Sequence, residues 1–418
     1  MLYDGTILSG RGLNRPYGIV FRVPAELESL LPAREACTDA AVAKAMRFLT
    51  DEWLCDVATD YQGKCVIIAC ALTILQRALL PQRPAFFITA GQRGGGKTTT
   101  IHMISMAVLG LPAAAAAWSP SEEERRKALF AYLGSGLPLL VWDNLPRGTV
   151  VSCPSIEKAL TTEHYSDRVL GETEIKTVPA YTVQVFTGNN VGPRGDLASR
   201  CLIARLAVDR PDPENREFKC PDPLAWTDAH RGRILQALYT ILLGNPRRGK
   251  MKGELTPPPT RFKEWWEMVG SAVEHAAEQH ARLTENETRW FVGEPHPTCP
   301  ASKIEFKKLF LGSEQDDEQT SSLAIVLDVL LRRWPEGFQA SDVANYAGRA
   351  EQDAIAFRDA LEHAAGKPLK IISSTTVAWR LKALTDAPVR IRDRVFALKY
   401  KPDVGGHGGT FSVGPVGG

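Results

Sequence analysis

The sequence predicts an α/β fold built around a phosphate-binding loop, with helical segments after it and a winged-helix domain at the C-terminal end. Three observations predict this. Gly91-Gln92-Arg93-Gly94-Gly95-Gly96-Lys97-Thr98-Thr99 fits the spacing G-x-x-x-x-G-K-[ST]. An apolar run, Leu139 to Trp142, ends in Asp143 about 45 residues later. From residue 303 onward, helix patterns give way to two short strand patterns flanking a turn.

At 418 residues the chain has room for two to four domains. The expected borders are 1–83, a strand-and-helix segment packing on the nucleotide fold; 84–210, the nucleotide fold itself; 211–302, a helical lid and linker; and 303–418, the winged helix. With 44% hydrophobic and 23% charged residues, the composition argues against a disordered or membrane-spanning chain. A net charge of +2 gives no global pull toward polyanions, so any nucleic-acid signal must be local. The eight cysteines form no C-x-x-C pair and read as reduced thiols. No signal peptide is evident, and the longest apolar run, Cys65 to Leu75, is too short to span a bilayer. A cytoplasmic protein without membrane contact is expected.

The N-terminal residues read as strands and turns, with Asp4-Gly5 a turn pair and strand patterns at Tyr3–Leu8 and Gly18–Pro24. Thr38-Asp39 caps a helix carrying Val42, Met46, Leu49 and Trp53 at helical spacing. A very apolar helix comes next, from about Lys64 to Leu80.

Pro84 to Ala90 reads as the buried strand that a phosphate loop needs before it, and Thr99 to Ser105 as the helix it needs after it. The glycines Gly91, Gly94, Gly95 and Gly96 let the backbone curl so that successive N–H groups face phosphate oxygens. The new helix adds the positive end of its dipole. Lys97 is placed to reach β- and γ-phosphates, Thr98 to ligate Mg²⁺, and Thr99 to line the same loop. Asp143, at the carboxyl end of its strand, suits the Mg²⁺ shell. Asn144 is the next residue, and an amide can hydrogen-bond a water but cannot take its proton. Glu123, Glu124 and Glu163 are the candidates for that task. Arg168 to Val178 reads as a β-hairpin, and Tyr181 to Phe186 as a strand leading into Thr187-Gly188-Asn189-Asn190. A polar residue at that strand end would sit beside the terminal phosphate. Arg200 precedes the strand Cys201 to Ala207, where an arginine can face a neighbouring subunit's nucleotide.

The order of phosphate loop, apolar-Asp-Asn, hairpin, Thr-Gly-Asn-Asn and Gly-Asp-Leu-x-x-Arg, with the Asp4-to-Gly12 lead-in, resembles the helicase half of primase-helicases carried by phages, plasmids and integrating elements. These are AAA+ proteins near the superfamily-3 and MCM-type helicases. The resemblance covers about residues 1–245 well and the rest loosely. It implies an AAA+-type fold with a helical lid, and an ATP-driven DNA helicase forming a homo-oligomeric ring. The lead-in opens the chain, so a stand-alone helicase module without a primase domain is expected, with a separate primase as a candidate partner. Lys97, Thr98 and Asp143 then carry ATP and Mg²⁺, Asn189 or Asn190 is sensor 1, and Arg200 acts in trans, with Arg194 and Arg205 as alternatives. Lys176, the lysine of the hairpin turn, is the candidate contact to a single strand in the channel. An ATP-switched initiator or loader that does not unwind processively is the alternative.

Thr227-Asp228 reads as the cap of the lid helix, with Arg231 or Arg233 as a candidate sensor 2 or as plain surface arginine. In the last domain, Ser341-Asp342 and Thr375-Thr376 open helices, and Gly366 to Lys401 holds nine Lys/Arg against two Asp/Glu. That stripe suits duplex phosphates through Arg380, Lys382, Arg390 and Arg392, while a protein-docking winged helix is the other reading.

Overall fold

In this computed structural model the described residues are 1–2, 5–8, 12–17, 19–21, 25–90, 94–146, 149–168, 174–189, 191–207, 217–247, 260–290, 301–315, 318–365, 369, 371–385, 389–391, 394–403 and 409–415. The chain forms two compact units, Met1–Leu311 and Gly312–Gly418.

The first unit is built on a five-stranded parallel sheet: β1 (Ala85–Ala90), β2 (Ala115–Ala117), β3 (Leu139–Leu145), β4 (Val183–Asn189) and β5 (Cys201–Leu206). Its order is β5-β1-β4-β3-β2, with every neighbouring pair parallel. Strand β1 is buried along its whole length, which is why it reads as an apolar run broken only by Thr89, whose hydroxyl donates to the Gly188 carbonyl. Alternate residues face opposite layers: Phe86, Ile88 and Ala90 join one core cluster, Ala85 and Phe87 another. Each such fully buried phenylalanine contributes about 1.5–3 kcal/mol.

Among the helices of this unit are α1 (Asp39–Phe48), α2 (Tyr61–Gln76), α3 (Lys97–Leu109), α4 (Glu122–Gly134), α5 (Pro154–Leu160), α6 (Pro223–Ala229), α7 (Arg231–Leu243) and α8 (Ser271–Trp290). Residues of α1, α2, α3, α7 and α8 share one core with the first face of the sheet, while residues of α4 and α5 line the second. Helix α2 is buried on almost every side, with Asp60 capping it through the Gly63 N–H at 2.7 Å. Tyr61–Leu79 is the one described stretch apolar and long enough to cross a bilayer, and it is mostly buried inside this unit.

Local details depart from the sequence expectations. The N-terminal strands are Gly12–Asn14 and Ile19–Phe21, paired antiparallel; Thr6 to Leu8 stays outside the ladder, and Asp4 lies outside the described residues. The lid helix is not capped at Thr227. Asp222 caps α6 by accepting the Ala225 N–H at 2.9 Å, and Thr227 is buried within that helix. The described hairpin strands are His164–Arg168 and Ile175–Pro179; Val169, Leu170 and the rest of 169–173 lie outside the described residues.

The second unit holds α9 (Glu318–Arg333), α10 (Ala340–Ala347), α11 (Gln352–Ala365) and α12 (Ser374–Ala383), then an antiparallel sheet of β6 (Val389–Ile391), β7 (Arg394–Pro402) and β8 (Gly409–Pro415). Its core includes Leu327, Val343, Phe357, Leu381, Leu398 and Phe411. Helix α10 is capped at Gln339, with Asp342 as its third residue, and α12 at Ser373 through the Thr376 N–H.

Candidate functional site

The site forms at the carboxyl ends of β1, β3 and β4, where a parallel sheet leaves strand ends and helix starts facing one crevice. Gly94 (φ 73°) and Gly96 (φ 82°) are in the left-handed region that a side chain resists, and Gly96 caps α3. The Thr100 hydroxyl and N–H both bond the Gly96 carbonyl, at 2.8 and 2.9 Å, which fixes the loop to the first turn of α3. Gly91 lies outside the described residues; Gly95 is buried, and Thr98 is exposed at the helix start.

Three side chains converge there from three elements. Lys97, from α3, donates to the Asn189 Oδ1 at the end of β4, 2.7 Å away. Burial lowers the Lys97 pKa from its ordinary value, and the Asp143 carboxylate opposes that shift. Asn190, the alternative to Asn189, lies outside the described residues. Strand β4 can bring Asn189 in because Gly188 has no side chain. A Cβ there would stand 2.6 Å from Val191 and 2.9 Å from the Leu145 carbonyl.

Strand β3 breaks its register with β4 between Trp142 and Leu145, so Asp143 and Asn144 form an irregularity at the strand end. Asn144 has φ 54°, the only positive φ outside glycine among the described residues, a conformation Asn tolerates better than most. Its N–H donates to the Asp143 Oδ1 at 2.8 Å, so the kink itself holds the carboxylate. The Asp143 carboxylate and the Thr98 hydroxyl are hard oxygen donors of the kind Mg²⁺ takes, and together they fit that ion by chemistry.

The three carboxylates expected to assist Asn144 are not equivalent. The Glu163 carbonyl accepts the Ala180 N–H at 2.8 Å, and its charge acts on Arg83. Both neighbours precede strands of the sheet, so Glu163 belongs to the opposite, amino-terminal edge and is no partner for this site. Glu123 and Glu124 open α4 and both pair with Lys127, at 2.9 and 3.0 Å.

Arg200 is held within its own chain. Its guanidinium pairs with Asp196 and donates to the Glu157 carbonyl at 2.6 Å, leaving the side chain 12% exposed. Arg194, half-buried, makes no side-chain hydrogen bond or ion pair among the described residues. Arg231 donates to the Ala107 and Val108 carbonyls at 3.3 and 3.4 Å, at the far end of α3 from the phosphate loop. Arg233 makes a two-bond pair with Glu52, at 2.8 and 3.1 Å. Neither faces the loop glycines, so the sensor-2 expectation is not met by these residues. Lys176 is exposed on its hairpin strand, opposite Asp167. In the second unit Lys382 is exposed and lies over the Tyr400 ring at 4.4 Å, while Arg380 is half-buried. Arg392 lies outside the described residues, and of Arg390 only the backbone, in β6, is described.

One part of the site escaped the sequence reading. A cavity of about 220 Å³ adjoins Gly94–Gly96 and Thr99, walled by Trp53, Phe218 and Trp226. Its two sides are tied together: the Asp56 carboxylate accepts the Lys219 and Cys220 N–H groups at 3.0 and 2.7 Å, and the Trp53 indole donates to the Thr227 hydroxyl at 3.2 Å. An apolar, aromatic-walled slot beside a phosphate loop has the chemistry of a base pocket.

No protein-family model and no curated protein matches the chain. Among solved structures it is similar to the NrS-1 C-terminal region in an apo A form, at 11% identity and a TM-score of 0.39, covering 94% of this chain and 79% of that one. It is also similar to an inhibitor-bound JCV helicase, at 11% identity and a TM-score of 0.25, covering 64% of this chain and 72% of that one. A second inhibitor complex of the JCV helicase gives 11% identity and a TM-score of 0.24, covering 62% and 71%.

Proposed function

We propose that the chain is an ATP-driven DNA helicase motor of the AAA+ type, acting in replication of a mobile genetic element as a cytoplasmic homo-oligomeric ring. The observation that carries this reading is the convergence of Lys97, Asn189 and Asp143 at adjacent strand ends beside the Gly94–Gly96 loop. The loop N–H groups and Lys97 bind the phosphates, and the aromatic slot takes the base. Asn189 senses the terminal phosphate through Lys97, and Asp143 with Thr98 holds Mg²⁺. There Mg²⁺ would supply charge neutralisation to the phosphates. Arg200 serves a neighbouring subunit's nucleotide once its Asp196 pair opens. Lys176 follows a single strand in the channel, and the second unit, as a winged helix, holds duplex through Lys382 and its basic neighbours.

A second reading, an ATP-switched initiator or loader, is favoured by Asn144. Its amide cannot accept the proton of an attacking water, which suits a protein that binds ATP longer than it turns it over. Strand displacement on a forked duplex, measured with ATP turnover with and without DNA, separates the two. DNA-stimulated turnover with displacement supports the motor. Turnover without displacement supports the switch, and absence of ATP binding overturns both.

A further inference from the structure

Trp379 is 74% exposed, on the outer face of α12. Tryptophan rarely stands so free of its own protein, since an exposed indole leaves a large apolar surface in water. Thr375 and Lys382, four residues before and three after, are also exposed and share that face. Ile371, just before the helix, is 71% exposed. Lys382 reaches over the Tyr400 ring of β7 at 4.4 Å, and Lys399 and Lys401, which flank Tyr400 in that strand and project from its other face, are exposed as well.

An exposed apolar plane that shares its helix face with a lysine fits a polyanion that also offers flat apolar faces, and nucleic acid has both. In an intact duplex the base faces are stacked on one another, and only edges and phosphates remain to be read. An indole three-quarters exposed on a helix therefore matches a base that has left the stack. We infer that Trp379 stacks on an unpaired nucleobase, so that the second unit grips DNA at a junction of single strand and duplex rather than on duplex alone. This rests on the DNA reading of the second unit and goes further, naming the form of DNA and the residue that selects it.

The test is binding of the full-length protein to a labelled fork and to a labelled blunt duplex of the same paired sequence, over a range of salt. Trp379→Ala should weaken fork binding by about 5- to 150-fold, the range of one base-stacking contact. It should leave blunt-duplex binding unchanged, and leave the salt slope on the fork unchanged, because no phosphate contact is lost. Trp379→Phe, which keeps a ring, should retain most of the fork affinity. Because the side chain is exposed, neither variant opens a core cavity, and unchanged thermal unfolding verifies this. Equal fork affinity in Trp379→Ala and parent overturns the inference and leaves the face to a protein partner. An equal loss on the blunt duplex, or a shallower salt slope, overturns it in favour of an ordinary duplex contact. A parent that binds neither DNA fails the DNA reading itself, which tells that failure apart from the others.

Discussion

The Lys97 ammonium lies 2.7 Å from the Asn189 side-chain oxygen, so the residue that opens α3 and the residue that ends β4 already touch. A phosphate oxygen entering the loop meets a cation whose position is set by a second strand. Lys97→Ala should therefore abolish ATP turnover and leave thermal unfolding near parental, since the half-buried amine serves the site rather than the core. Asn189→Ala should retain nucleotide binding and lose turnover by about 10²–10³-fold, as when one charge-stabilising donor is removed. Parental turnover in Lys97→Ala would reject the nucleotide assignment.

Asp56 ties the two walls of the aromatic slot through the Lys219 and Cys220 N–H groups. Asp56→Ala frees the wall that carries Phe218 without touching the phosphate loop. KM for ATP should rise by about 10-fold, the worth of one charge-assisted hydrogen bond, with kcat little changed. A fall in kcat at constant KM would place Asp56 outside base binding.

Arg200 is engaged with Asp196 and the Glu157 carbonyl. If it serves a neighbouring nucleotide, Arg200→Ala binds ATP but loses turnover, by up to about 10³–10⁵-fold as for fingers acting in trans. Mixing it with Lys97→Ala then restores activity where an intact Lys97 meets an intact Arg200. Arg194→Ala is the comparison. Rescue in that pairing, without loss in Arg200→Ala, would assign the task to Arg194.

The phosphate loop, the Asp143 strand and the Asn189 strand were legible because each is a local pattern: an apolar run, then a residue whose chemistry the strand end requires. The aromatic slot was not. Trp53 reads as one more apolar position on a helix, and Phe218 sits in an irregular stretch. Only the tertiary pairing of Asp56 with Lys219 and Cys220 brings them to one cavity. Glu163 failed as a candidate for the same reason. Its sequence position lies between β3 and β4, but only topology tells which edge of the sheet it occupies. Arg231 likewise reads as a lid arginine, and its partners at the end of α3 are set by packing.

His275 on α8 is 9% exposed, with Asp39 at 3.2 Å and Glu278 and Arg247 as its other charged neighbours. Burial lowers its pKa from the usual 6.5, and Asp39 offsets part of that. Below 6.5 the unfolded chain binds a proton that the folded chain resists, so stability falls as pH falls through 6.5 toward the folded pKa, and this group costs nothing above it. The melting temperature of His275→Gln should therefore fall less steeply on acidification than the parent's. Identical slopes would show that His275 titrates alike in both states.

Lys176 is exposed on the strand Ile175–Pro179, beside Ile175, which is 71% exposed. Both strands are anchored: on the opposite one Asp167 pairs with Arg126 of α4 and Tyr165 is buried, and on the strand of Lys176 itself Val178 is buried in the same core. The hairpin falls in the chain between β3, which carries Asp143, and β4, which ends in Asn189, and its Ile175 and Lys176 side chains face solvent. The hairpin runs directly into β4, so β4 is the covalent route between those side chains and the phosphate site. Asp167, across the ladder from Lys176, is already paired with Arg126, so the Lys176 charge is left for another anion. Lys176→Ala should keep basal ATP turnover, assembly size and melting temperature near parental, since none of these uses an exposed side chain. Unwinding of a forked duplex and DNA stimulation of turnover should both drop, because the motor loses its grip on the strand. Parental unwinding in that variant would make the hairpin a structural element only. Loss of basal turnover would instead mean that the hairpin supports the phosphate site from behind.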